Sequence, residues 1–305
     1  MASLYDRLKG AQPLKPAIPQ TVHQDCLVVT KRISLGQVPD LFPAALMADI
    51  SNRQIAEDLM PQDLLFLDTE TTGLSRGAGT LAFLIGYGQI QGHDLVITQV
   101  LMRDYHQEIQ LLMDLQKRLQ ASQCLMTYNG TSFDVPLLQG RLVMNRLQAD
   151  LTRLPHLDLL HAARRIFRLR LGRCPLTRLE EVLFGFVRED DLPGSEVPAR
   201  YFNYLKQQDD ALLQDVLAHN QQDIHTLALL FLHLTAVYAR PHEITHQQDL
   251  FSLGRVYEHQ GQKERAITCY RACSEKTVRE FARLRMAEIL RKQRRDEEAL
   301  REYES

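Results

Sequence analysis

Leu64-Leu65-Phe66-Leu67-Asp68-Thr69-Glu70-Thr71-Thr72-Gly73-Leu74 is the stretch on which the fold turns. An apolar run of strand type leads into two carboxylates at i and i+2, a spacing that points both side chains to one face of a strand. Two negative charges held close at the edge of a core are costly unless a cation lies between them. Thr71-Thr72-Gly73 adds small hydroxyls and a glycine that lets backbone approach a ligand. The same residues also suit a strand end with two solvated acids, so the choice rests on partners elsewhere in the chain.

Outward from this stretch the pattern is regular. Residues 64–67 and 81–90 read as strands, Gln91-Gly92-His93-Asp94 as a hairpin turn, and 95–102 as the returning strand, an antiparallel meander. Residues 106–120 carry Ile109, Leu112, Met113, Leu115 and Leu119 at helical spacing. Residues 124–128 form a further strand, after which Thr131 or Ser132 is placed to cap a helix to about 147. Then come helices over 157–168, over 177–183 with Thr177 and Glu180 as a capping box, over 197–208, and from 209 to about 240. A meander, then alternating strand and helix, then helices, predicts an α/β fold: a mixed sheet flanked by helices.

Residues 1–60 hold Pro13, Pro16 and Pro19, a short strand at 26–30, and a mixed stretch at 41–59. They read as an N-terminal extension packing on a core domain of residues 61–240. Residues 245–305 read as a small all-α segment with an internal repeat. Leu250, Leu253, Gly254, Tyr257, Ala266, Tyr270 and Cys273 fit the tetratricopeptide pattern, and Met286, Ala287, Leu290, Ala299 and Tyr303 echo it in part 33 residues on. Two such units are too few for a free-standing array, so they are expected to dock on the core or on each other.

With 305 residues the chain can bury a sizeable core, and 45% hydrophobic against 24% charged residues is ordinary for a globular protein. A net charge of −2 gives no overall basic surplus, although a local patch is enough to hold nucleic acid. No run approaches the ~18 apolar residues of a membrane span, and the start lacks a signal-like core, so no membrane partner and a cytoplasmic location are expected. Five scattered cysteines without a CxxC pair read as reduced core thiols.

Partners for the two acids exist downstream. Asp134 lies where a strand gives way to a helix in Tyr128-Asn129-Gly130-Thr131-Ser132-Phe133-Asp134. His219 and Asp223 are one turn apart on a helix and share a face. Asp68, Glu70, Asp134 and Asp223 together suit two divalent cations; an all-oxygen donor set selects Mg²⁺ or Mn²⁺. His219 suits a general base for an attacking water.

At these residues the chain resembles the DEDD exonucleases of the ribonuclease H-like superfamily, the DnaQ-like group. Asp68-Thr69-Glu70-Thr71-Thr72-Gly73 matches that family's first motif, Asn129 with Phe133-Asp134 the second, and His219 with Asp223 the third. Within the group it is similar to the YprB-type proteins, through Leu179-Glu180-Glu181, Arg188 to Gly194, Val197-Pro198 and Tyr201. The resemblance implies a ribonuclease H-like fold and a 3′-to-5′ exonuclease. Asp68, Glu70, Asp134 and Asp223 would be the metal ligands and catalytic with His219. Substrate contacts would come from Thr69, Thr71, Thr72, Gly73, Leu74, Asn129 and Phe133, with Leu74 against the terminal base. One departure concerns the base: the gap between His219 and Asp223 is one residue shorter than in the family's histidine subclass and equals that of its tyrosine subclass.

Arg164, Arg165, Arg168, Arg170, Arg173 and Arg178 crowd one stretch and suit a phosphate track, as they suit a solvated helix face. The leading reading is an exonuclease on DNA, in repair and with a helicase as protein partner through the C-terminal helices. The others are an RNA exonuclease and a non-catalytic tetratricopeptide scaffold with a vestigial nuclease fold; four intact acids argue against the last.

Overall fold

The computed structural model describes residues 25–73, 79–148, 150–188 and 192–304. Six strands form one mixed sheet: β1 (Leu27–Ser34), β2 (Leu64–Thr71), β3 (Ala82–Gln91), β4 (Asp94–Leu101), β5 (Cys124–Thr127) and β6 (His156–Asp158). Their order is β1-β4-β3-β2-β5-β6. The first four pair antiparallel, and β5 and β6 add on in parallel. Gly92 takes the positive φ (64°) that the tight β3–β4 turn requires.

Helices cover both faces. Against one face lie α1 (Ala44–Ser51), α4 (Leu159–Leu171), α7 (Gln214–Ala239) and α8 (Gln247–His259), sharing a core with Leu64, Phe66, Ile97 and Met126. Against the other lie α2 (Glu108–Gln120), α3 (Asp134–Met144) and α6 (Val197–Gln207), packed on Leu65, Leu67, Phe83 and Tyr87. Leu64 and Leu65 point to opposite faces because side chains alternate along a strand. Phe231 of α7 sits edge-on to Phe66 at 5.9 Å and to Phe42 at 4.9 Å.

Several expectations change. Residues 26–30 lead into an eight-residue edge strand of the main sheet, in which Lys31 and Arg32 are both exposed, one on each face. Charges on an edge discourage further strand pairing. On α2, Ile109 and Met113 are exposed, while Leu111 joins Leu112, Leu115 and Leu119 inside; the helix phase is rotated from the expected stripe. Leu157 and Asp158 are in β6, three residues long and too short to show period-two alternation. Thr177 caps nothing. Helix α5 (Leu176–Leu179) starts behind Pro175 with no side-chain cap and loosens into a π turn over Glu180–Phe184.

The C-terminal helices are α8, α9 (Lys263–Arg271), α10 (Lys276–Lys292) and α11 (Asp296–Glu304). At Gly254 a Cβ would stand 2.6 Å from the Tyr270 ring, so α8 and α9 pack with their backbones close. Leu250, Leu253, Tyr257, Ala266, Tyr270 and Cys273 are buried, whereas Tyr303 is half-exposed. No helix among the described residues is long and apolar enough to cross a membrane.

Candidate active site

β2 runs on to Thr71, so Asp68 and Glu70 lie within the strand and not beyond its end. They share the face of Leu64 and Phe66, the one covered by α7. Across the sheet, Asp68 pairs with Gly86 of β3, and Gly86 with Gln99 of β4. Asn220 of α7, wholly buried, lies over this row. Its Nδ2 donates to Asp68 Oδ2 at 2.8 Å, and its Oδ1 accepts from Gln99 Nε2 at 2.9 Å. A Cβ at Gly86 would collide with the Asn220 carboxamide, so glycine is the residue that leaves room for it.

Asp134 is brought in by the turn after β5. Asn129 takes a left-handed conformation (φ 63°), and a Cβ at Gly130 would run into the Thr127 side chain. The Asp158 carboxylate holds the turn: it accepts from the Asn129 N–H at 2.8 Å and the Thr131 N–H at 3.1 Å. It also caps α4 through the Leu160 N–H. The helix after the turn begins at Asp134 with Phe133 as N-cap, so neither Thr131 nor Ser132 caps it. The buried Asp134 accepts from Thr69 Oγ1 at 2.5 Å.

Asp223 and His219 project from α7 as the spacing indicates, with Nε2 3.6 Å from Oδ2. Arg188 holds the same carboxylate, donating from Nη2 to Asp223 Oδ1 at 2.5 Å. Its Nε donates to Glu180 Oε2 at 2.6 Å, and Nη1 lies 3.5 Å from His219 Nδ1. Glu180 has no exposed surface and also accepts from Gln222. Such a buried pair holds only with well-made hydrogen bonds.

A cavity of about 530 Å³ is lined by Asp68, Glu70, Asp134, Thr71, Asn129 and Phe133 among others. Burial pushes the Asp68 carboxyl well above its ordinary range, and the charges of Asp223, Asp134 and Glu70 push it further. Burial raises Asp134 to about 6, against the lowering effect of the Thr69 hydroxyl. Asp68 and Asp134 are therefore buried carboxyls whose ionised forms a hard cation would stabilise. Among the described residues no group of three or more His, Cys, Asp or Glu is already arranged to ligate a metal ion. Asn220, Thr69 and Arg188 hold Asp68, Asp134 and Asp223 instead. In charge and donor chemistry the set fits a divalent metal.

The other expected site residues divide. Asn129, Phe133, Thr71 and Gly73 line the cavity, with Phe133 half-exposed. Thr69 is occupied with Asp134, Thr71 Oγ1 donates to the Gly73 carbonyl at 2.8 Å, and Thr72 Oγ1 accepts from the Leu81 N–H at 3.0 Å. Leu74 lies outside the described residues. His219 lines an adjoining cleft and not this cavity. Arg164 and Arg168 are exposed on α4. Arg165 turns inward to the Ile50 carbonyl, a correction to its expected place on a phosphate track; Arg170 pairs with Asp249 at 2.8 Å. No single stretch of sequence marks Asn220, Gln99, Gly86 and Asp158, because their roles depend on cross-sheet and cross-loop partners; Glu180 and Arg188 stand out in sequence only through the family pattern.

The RNase_H_2 family, described as the RNase_H superfamily, matches residues 65–235, more than half of the chain. The uncharacterized protein YprB of Bacillus subtilis (strain 168) is 29% identical over 272 residues. That match covers 88% of this chain but 65% of YprB. The family B DNA polymerase from the hyperthermophilic archaeon Pyrobaculum calidifontis aligns over 76% of this chain and 33% of its own, with 13% identity and a TM-score of 0.43. The family match runs through every strand and helix that carries the four acids, and the chain belongs to the RNase_H superfamily.

Proposed function

We propose that this chain is a metal-dependent 3′-to-5′ exonuclease of the DEDD type, acting on DNA. The observation that carries the reading is that Asp68, Glu70 and Asp134 line one cavity of about 530 Å³, with the charge of Asp223 acting on Asp68 from beside it. Asp68, Glu70, Asp134 and Asp223 are the residues that would hold two Mg²⁺ or Mn²⁺ ions. When bound, the metals supply positive charge that favours an attacking water and the departing 3′ oxygen. Asn220, Thr69 and Arg188 orient three of the carboxylates. His219, beside Asp223, accepts the proton released by the water. Asn129, Phe133, Thr71 and Gly73 receive the 3′-terminal nucleotide, and Arg164 and Arg168 give its backbone a cationic border. Residues 61–240 form the catalytic unit; residues 245–305 are read as tetratricopeptide-type helices. We place this activity in DNA repair, with a helicase as the partner of the C-terminal helices.

The test is degradation of end-labelled single- and double-stranded DNA and RNA with Mg²⁺, Mn²⁺ or EDTA. Metal-dependent loss of nucleotides from the 3′ end of DNA is expected, together with a fall of at least about 100-fold for Asp68→Ala. Loss from RNA alone would move the substrate to RNA. No loss from any of them would leave a vestigial nuclease fold.

A further inference from the structure

A second cleft, of about 790 Å³, adjoins the acidic cavity. Its walls include Phe186, Val187, Arg188, His219, Gln221 and His225. Two observations join it to the first cavity. Arg188 and His219 line the cleft and both contact Asp223, whose charge acts on Asp68. Leu192 borders the cleft, while Gly194 and Val197, a few residues on, border the acidic cavity.

The cleft carries an aromatic ring that the fold leaves open. Phe186 is 42% exposed and Val187 75% exposed. The Phe186 ring is not loose: it stacks on His225 at 6.1 Å with 29° between the planes, and Phe184 stands behind it at 6.4 Å. Among the described residues of the walls, Glu180 is paired with Arg188, and Asp215 with Arg200 at 2.9 Å. Lys31 adds positive charge near His225. A backed and open aromatic face is a platform on which the bases of a single strand stack without their sequence being read.

We propose that this cleft seats the penultimate nucleotide of a single-stranded nucleic acid, its base stacked on Phe186. The proposal rests on the nuclease reading: with the 3′-terminal nucleotide in the acidic cavity, the next nucleotide on the 5′ side passes Asp223 and enters the cleft. Phe186 then sets how firmly a frayed or single-stranded 3′ end is held.

The experiment measures binding of the full chain to a phosphorothioate oligothymidylate of about ten nucleotides, which resists hydrolysis, and to thymidine monophosphate, both in Mg²⁺. Phe186→Ala is expected to weaken the oligonucleotide about 5- to 100-fold, from the usual strength of a base–aromatic stack. Phe186→Trp should stay within about twofold of the unaltered chain, because it keeps the stacking face. Affinity for the mononucleotide, which fills only the acidic cavity, should not change. Oligonucleotide affinity unchanged in Phe186→Ala overturns the proposal and leaves Phe186 and Val187 as a protein-docking patch. A parallel loss for both ligands, or an equal loss with Trp, also overturns it, since either marks a disturbed fold. If metal-dependent cleavage is present while Phe186 proves neutral, only this proposal falls; if the unaltered chain neither binds nor cleaves the oligonucleotide, the nuclease reading falls with it.

Discussion

Asp68 shows how much of a catalytic side chain is decided by residues that never touch a substrate. Its Oδ2 is held by Asn220, Asn220 is held by Gln99, and the space for the Asn220 carboxamide exists because residue 86 has no side chain. Outer partners of this kind are worth about 10–100-fold in metal affinity. Asn220→Ala is therefore expected to weaken Mn²⁺ binding in calorimetric titration by that factor, and Gly86→Ala to do the same by displacing the carboxamide. Unchanged affinity in both would show that Asp68 needs no anchor. Asp134 makes a pH prediction. Its folded value of about 6 lies above the ordinary 3.8, so the folded state binds a proton more tightly than the unfolded chain does. Stability without metal is then greater below pH 4 than at neutrality as far as this group is concerned, and is lost as pH rises through about 6. Asp134→Asn should raise the melting temperature at pH 7 by a few degrees and flatten its fall between pH 4 and 7. A variant that melts lower at pH 7 would contradict this.

The loosened turn after α5 and the opening of α7 act as one element. The π turn over Glu180–Phe184 starts with a glutamate buried to 0% exposure, and Arg188, four residues past the turn, ties it to Asp223. A carboxylate so deep cannot be left alone. Arg188→Ala is expected to cost about 3 kcal/mol or more in urea unfolding, the usual penalty for stranding one member of a buried pair. Removing Glu180 as well should restore part of that loss, so the double variant falls short of the sum of the two single ones. Strict additivity would mean that the two side chains do not act together.

Across the whole molecule the sheet core and the C-terminal helices share one hydrophobic cluster, running from Val38 through Phe231 and Tyr238 to Tyr257, Met286 and Ala299. Among the described residues two ion pairs cross the junction. Arg170 of α4 meets Asp249 of α8, and Arg265 of α9 meets Asp49 of α1 at 2.5 Å while its guanidinium lies 3.9 Å from the Tyr257 ring centroid. A shared core ties the stability of both parts together. The chain is expected to unfold in a single calorimetric transition, and Asp249→Ala to lower that transition without splitting it. Two separate transitions would show that residues 245–305 fold by themselves.

The apolar run before Asp68, the meander, the strand-to-helix step at Asp134 and the i, i+4 pair on α7 could all be read along the chain. They rest on local periodicity and on spacings of two to four residues, which a linear sequence displays directly. The mixed sheet flanked by helices and the superfamily followed from them. What only the tertiary structure decided lies between residues distant in sequence. It placed residues 27–34 at the sheet edge, turned Arg165 inward, gave Asp158 the second-motif turn, and set Asn220 over Gly86. The reason is physical: hydrogen bonds of buried polar groups and the room left by a missing Cβ depend on which strands become neighbours, and strand order is not written in any single stretch of the chain.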